Sequence, residues 1–254
     1  MRRIRRTSRR FATNSPTQHG SMTSNRPESN GATVSNHTAA WTEAKLVAID
    51  LEGSGPQDPA GEAILEIALV PIHHGAPDLD HAFSSLINPE RKITRSPWTS
   101  PGITNAVLEH APTLDEVAPK IIELVAGAWL VGHNVRVDWR LLTKTLPTAE
   151  PVGLIDTLRL AKHRRPELKK GHGLQAWIER LDLTDTITQA ARDSQPHRAL
   201  WDTVATATLL EAFMRDQPAT NTELDALLTI AGLDLDGNLH PTKPADQQSL
   251  FDSL

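Results

Sequence analysis

The sequence predicts an α/β protein in three layers, a mixed five-stranded sheet flanked by helices. Two patterns point there. Apolar runs at residues 46–49, 64–72 and 81–88 follow one another across turn residues, as the strands of an antiparallel meander do. Beyond them, short apolar runs alternate with stretches of helical spacing, as strand-helix units do. The length suffices as well: 254 residues, 39% hydrophobic and 22% charged, supply one good-sized core and tails.

Taken in order, Leu46-Val47-Ala48-Ile49 leads into Asp50-Leu51-Glu52 and is closed by Gly53-Ser54-Gly55-Pro56, which reads as a buried central strand. Residues 64–72 and 81–88 add two strands, separated by the Gly75-Ala76-Pro77-Asp78 turn. Helical spacing covers 103–110 and 114–126, the second opened by Thr113 as cap with Glu116 three residues later as its capping-box partner. Residues 129–132 read as a strand, 135–146 as a helix and 152–156 as the fifth strand. Helices over 174–181 and 199–215 close the domain, and one short helix over 223–231 precedes a polar, proline-containing tail. The expected organisation is therefore an arm at 1–43, a folded domain at 44–216, and a C-terminal helix and tail at 217–254.

The arm is rich in Ser, Thr, Asn, Arg and Pro without apolar periodicity, so it cannot bury enough surface to offset its ordering entropy and is expected to be disordered. Its arginines also permit two other readings, a targeting segment or an upstream extension before a second start at Met22. Residues 1–27 hold seven arginines and no acid, so a chain of net charge −5 has a body more acidic still. That counts against a protein that coats nucleic acid by bulk charge, though not against an enzyme that grips one end through metal ions. Zero cysteine excludes disulfides, thiolate catalysis and Cys-ligated metals, and points to the cytoplasm. No apolar run approaches about 18 residues, so no membrane span is expected.

Five side chains stand out chemically. Asp50 and Glu52, two apart on a strand, project from one face roughly 6 to 7 Å apart. Their repulsion and desolvation raise a pKa unless a cation intervenes, and oxygen-only ligation suits Mg²⁺ or Mn²⁺. Asp138 follows Gly132-His133-Asn134 at the start of a helix, where the macrodipole alone also favours an acid. Asp202 shares a helix face with Ala205, Leu209 and Ala212, so it points inward and needs a partner: a metal, a buried arginine or backbone amides. His197 lies five residues earlier, about 140° around a helix, and so must come from the loop before it, where it can approach a substrate as a proton acceptor.

Four acids in this order, with this histidine before the last, resemble the DEDDh exonucleases, the family of the DNA polymerase III epsilon (proofreading) subunit, ribonuclease T and oligoribonuclease. The motifs that carry the likeness are Ile49-Asp50-Leu51-Glu52 with Ile64-Leu65-Glu66-Ile67-Ala68, then Pro101-Gly102-Ile103-Thr104, Gly132-His133-Asn134-Val135-Arg136-Val137-Asp138 and His197-Arg198-Ala199-Leu200-Trp201-Asp202. The resemblance implies a ribonuclease H-like fold and 3′-to-5′ hydrolysis of nucleic acid to nucleoside 5′-monophosphates. It implies two metal ions: Asp50, Glu52 and Asp202 would hold one, Asp50 would bridge to the second with Asp138 acting through water, and His197 would deprotonate the attacking water. Leu51, Gly53 and Asn134 become candidate substrate contacts. Two positions depart from the family pattern, Gly53 where Thr is usual and Val137 where Phe is usual, and the first bears on selectivity for the terminal sugar.

Two further segments bear on partners. Lys162, His163, Arg164, Arg165, Lys169 and Lys170 form a basic cluster, either a patch for the phosphate backbone or a solvated loop. Near the end, Gln247-Gln248-Ser249-Leu250-Phe251 resembles the pentapeptide that binds the bacterial sliding clamp, with Gln247, Leu250 and Phe251 as anchors; a tail folded back on its own domain is the alternative. The expected substrate is a nucleic acid 3′ end, DNA in preference to RNA because of that tail. An RNA-trimming enzyme and a catalytically silent clamp-bound adaptor are the rival readings.

Overall fold

The computed structural model describes residues 39–94, 99–215 and 222–240. The arm over residues 1–38 and the tail with Gln247, Leu250 and Phe251 lie outside the described residues. Strand β1 (Leu46–Gly53) is central because its apolar start is buried on both faces, Leu46 and Ala48 in one core and Val47 and Ile49 in the other. Strand β2 (Ile64–His73) runs antiparallel along one edge of β1 and pairs on its far side with β3 (Ala76–Pro77) and β4 (Phe83–Leu86). The expected meander is present. The β2–β3 hairpin turns through His74 at φ 51° and Gly75 at φ 87°, the left-handed pair that a tight two-residue turn needs.

Along the other edge of β1, β5 (Trp129–Gly132) and β6 (Gly153–Asp156) are parallel, and β7 (Gly232–Leu233) closes the sheet antiparallel. Among the described residues the order is β3-β2-β1-β5-β6-β7 with β4 also on β2, a seven-stranded mixed sheet instead of the expected five. The added strands, β3 and β7, are two residues long and carry no apolar run for periodicity to detect.

Eight α-helices lie among the described residues: α1 (Asn105–Leu108), α2 (Leu114–Val125), α3 (Arg136–Thr145), α4 (Thr157–Arg164), α5 (Leu174–Arg180), α6 (Thr184–Ala190), α7 (Ala199–Arg215) and α8 (Leu224–Ala231). Thr113 and Glu116 form the expected capping box on α2. On one face of the sheet α7 buries Trp201, Val204, Leu209 and Phe213, each full burial contributing about 1.5–3 kcal/mol. On the other, α2 and α3 bury Ile121, Val125, Leu141 and Leu142. These are the three expected layers.

Several details differ from expectation. Helices α4 and α6 carry too weak a pattern to be read, because α4 buries only Thr157, Leu160 and Ala161 among charges and α6 only Ile187. Helix α1 is a single turn, and β4 is shorter than the run over 81–88. Residues 222–240, expected outside a domain ending at 216, share its core: Leu224, Leu227, Leu228 and Ala231 pack with α7 residues and β7 pairs with β6. At the other end Trp41, expected in the arm, is buried in that same core, and its N–H donates to the Thr222 carbonyl at 3.0 Å. Among the described residues no helix is long and apolar enough to cross a membrane.

Candidate active site

Strand β1 places the first two acids. Asp50 and Glu52 continue the parity of Leu46 and Ala48, so their side chains stand on the face covered by α7, while Leu51 and Gly53 turn to the α2–α3 face. Pairing of β1 with β5 ends at Ala48 and Val131, yet β1 runs on to Gly53 paired with β2 alone. The two parallel strands therefore part just where the carboxylates begin, opening a crevice at the carboxyl ends of the strands.

Asp138 fills the gap that this parting leaves. The Leu51 N–H, which no longer has a β5 partner, donates to Asp138 Oδ1 at 3.0 Å. Asp138 reaches it because the chain folds sharply after β5: a side chain at Gly132 would meet Val135 Cβ at 2.8 Å, so only glycine permits this turn. Asn134 sits in the same turn at φ 71°, exposed, with its N–H held by Asp156 Oδ1 at 2.9 Å. Asp156 also accepts from Leu158 N at 2.9 Å and so caps α4.

Asp202 comes from the first turn of α7, across the crevice from β1. One carboxylate oxygen each from Asp50, Glu52 and Asp202 lie within 4.8 Å of one another. His197 stands two residues before α7, exposed, at φ 66°. A non-glycine residue held there is uncommon and marks a position that its surroundings over-determine.

The electrostatics follow from four acids drawn out of water together. Burial pushes the Asp50 carboxyl well above the ordinary range, and Asp138, Asp202, Glu52 and Glu66 push it further. Burial likewise lifts Glu52 to about 7, against the opposing hydroxyl of Ser100, and Asp138 to about 7, against the Leu51 N–H. Asp202 rises to about 6 by burial, with His197 pulling it down. Asp202 Oδ1 is buried and has no hydrogen-bond partner among the described residues. Crowded hard oxygens with an orphaned lone pair fit a divalent cation, which removes the repulsion and fills the missing contact. The cluster Asp50, Glu52 and Asp202 is thus a divalent-metal site in its donor chemistry.

Other expected residues fall differently. Gly53 ends β1, and a side chain there would meet Leu141 Cδ2 at 3.2 Å, so its bareness matches the packing of α3. Arg164 and Arg165 are not brought to the carboxylates. Arg164 lies over the Phe213 ring at 5.0 Å and donates to the Phe213 carbonyl, and Phe213 is about 16 Å along α7 from Asp202. Arg165 is paired with Glu167. Lys162 and His163 ride on α4, not on a loop, and are exposed, as are Lys169 and Lys170.

Four further residues contribute in roles that the sequence alone does not give. Ser100 Oγ donates to Glu52 Oε2, and no local pattern announces it. Glu66 is buried and forms a two-bond ion pair with Arg198, although both lie inside motifs already singled out. Asp156 is a helix cap, a signal readable only once the short α4 is recognised.

Comparison with known proteins agrees with this geometry. The pattern of the Exonuclease (RNase_T) family matches residues 47–210. The chain is 36% identical over 177 residues to a DNA polymerase III subunit epsilon-like protein of Rhodobacter capsulatus, covering 68% of this chain and 24% of that one. It is 32% identical over 180 residues to a PolC-type DNA polymerase III of Bacillus cereus, covering 68% and 12%. It therefore spans a quarter or less of these relatives. Among solved structures, the nuclease domain of 3′hExo, described as a DEDDh family member bound to rAMP, superposes with a TM-score of 0.55 at 17% identity, over 70% of this chain and 95% of that one. The fold is that of ribonuclease H-like exonucleases.

Proposed function

Because the chain belongs to the exonuclease family, whose pattern spans residues 47–210, we propose that it is a metal-dependent 3′-to-5′ exonuclease acting on nucleic acid 3′ ends, DNA preferred, in proofreading or repair. The observation that carries this is the convergence of Asp50, Glu52 and Asp202 from distant elements, with one buried oxygen of Asp202 left without a partner among the described residues. An adaptor without activity has no use for such a costly arrangement of acids.

In this reading Asp50, Glu52 and Asp202 would hold Mg²⁺ or Mn²⁺, and Asp138 would help Asp50 hold a second ion. When bound, the ions lower the pKa of water and neutralise charge on the leaving oxygen. His197, free of the helix and exposed to solvent, accepts the proton of the attacking water. Leu51 and Gly53, which alternate with the two carboxylates along β1, and the exposed Asn134 are the proposed contacts of the terminal nucleotide. Arg164 and Arg165 are poorer candidates for phosphate, being engaged by Phe213 and Glu167.

The tail residues Gln247, Leu250 and Phe251 would dock a sliding clamp and raise the effective concentration of the enzyme at DNA. The kinship to two DNA polymerase III proteins supports this role and a cytoplasmic site of action. Deleting residues 247–254 is expected to abolish measured clamp affinity while leaving hydrolysis of short oligonucleotides unchanged.

The deciding experiment measures Mg²⁺-dependent release of mononucleotides from 3′-labelled single-stranded DNA and RNA. Wild type is expected to hydrolyse DNA faster than RNA, and Asp202→Asn to lose activity by about 100-fold or more. Equal activity in wild type and Asp202→Asn, or none in either, overturns the assignment. Faster hydrolysis of RNA selects the exoribonuclease reading.

A further inference from the structure

Glu66 and Arg198 lie against the carboxylate site without belonging to it. Glu66 stands on β2 directly opposite Glu52 on β1, so two acids occupy one cross-strand pair, an arrangement that like charges ordinarily disfavour. Arg198 resolves it. Its Nε and Nη2 donate to the two Glu66 oxygens at 2.8 and 2.7 Å, a fork-on-carboxylate pair in which Glu66 is only 4% exposed. Glu66 Oε2 also accepts the Ala199 N–H at 3.2 Å, the first amide of α7. Glu66 therefore supplies the acceptor that an arginine at the helix boundary cannot supply itself.

Arg198 follows His197 and precedes Asp202 by about one helical turn. Clamping Arg198 and Ala199 to β2 fixes the left-handed turn that carries His197 on one side and the first turn that carries Asp202 on the other. The remaining amino group, Nη1, faces the turn at Gly102, where a side chain would meet it at 3.6 Å. From that same turn Ser100 donates to Glu52. One ion pair thus ties β2 to the start of α7 and lies beside the loop that orients a carboxylate.

We propose that Glu66 and Arg198 are a positioning pair that sets His197 and Asp202 against Asp50 and Glu52. The inference rests on the exonuclease reading above. A buried ion pair is by itself weak evidence of a stabilising role, because apolar residues of similar volume often replace one without loss. What such residues cannot reproduce is direction: the fork and the shared Ala199 amide fix where the helix end points.

That difference supplies the test. Wild type, Arg198→Lys and the apolar double variant Glu66→Leu/Arg198→Met are compared in thermal unfolding, in Mn²⁺ binding by calorimetry and in kcat and KM on a single-stranded oligonucleotide. The double variant is expected to keep its Tm within a few degrees while kcat falls about 30- to 100-fold, KM moves less than about threefold and Mn²⁺ binds about five- to tenfold more weakly. Arg198→Lys, which keeps the charge and loses the fork, is expected between wild type and the double variant, and carries the comparison if the double variant does not fold. Folded variants whose kcat and Mn²⁺ affinity stay within about twofold of an active wild type overturn the positioning role alone. A wild type that neither binds Mn²⁺ nor hydrolyses overturns the exonuclease reading and the positioning role with it.

Discussion

His197 and Asp202 are five positions apart in sequence, and the chain separates them by starting the helix between them. The aspartate is carried on the first turn of α7, the fixed placement that the proposed metal ligand needs, and the histidine on an exposed turn, open to the water it is proposed to deprotonate. In the proposed chemistry His197→Ala removes proton acceptance and leaves the carboxylates in place. Its kcat is expected to fall about 100- to 10,000-fold, with Mn²⁺ affinity by calorimetry unchanged within about twofold. A matching loss of Mn²⁺ binding would instead assign His197 to the metal. Glu66 and Arg198 show the limit of reading residues singly: each stands in a motif string, and only their contact reveals that one restrains the other.

At the scale of elements, the site depends on two strands that part and a helix that fills the opening. Strand β1 loses β5 beyond Ala48, and α3 brings Asp138 to the freed Leu51 amide. The tight turn at Gly132 sets that approach, since an added methyl would stand 2.8 Å from Val135 Cβ. Gly132→Ala is expected to cost about 1–3 kcal/mol, lowering Tm by roughly 3–10 °C, and to reduce kcat about tenfold as α3 shifts. Thermal unfolding and steady-state kinetics on the same preparation check both. Elements with a long apolar stretch, such as β1, β2 and α7, or with strong helical periodicity, such as α2, are legible in the sequence. The two-residue strands and the short α4 and α6 are not, because their stability comes from neighbours and not from any pattern of their own.

For the whole molecule the crowded acids make stability depend on pH. Glu52 and Asp138 titrate in the folded protein at about 7 and Asp202 at about 6, above their unfolded values near 4. The folded state therefore binds more protons than the unfolded state between these values. The cluster's contribution to metal-free stability is fully present below about pH 4 and is lost as pH rises through about 6 to 7. Tm in chelator is expected to be higher near pH 5 than near pH 7.5, and Mn²⁺ is expected to raise Tm most at the higher pH. Asp202→Asn should flatten the dependence in chelator and weaken the response to Mn²⁺. Thermal scans with and without Mn²⁺ at the two pH values decide it, and a Tm in chelator that rises with pH equally in both proteins would contradict the linkage.

By itself the sequence determined the order of the main strands and helices, the parity that puts Asp50 and Glu52 on one face, and the inward turn of Asp202. Those are local properties, set by periods of two and 3.6 residues along the chain. Tertiary structure decided which distant groups meet: Asp202 with Asp50 and Glu52, Asp138 with the Leu51 amide, Ser100 with Glu52, and Glu66 with Arg198. It also drew Arg164 away to Phe213. Contacts between residues far apart along the chain depend on how layers pack and where strands separate, and periodicity carries no record of either.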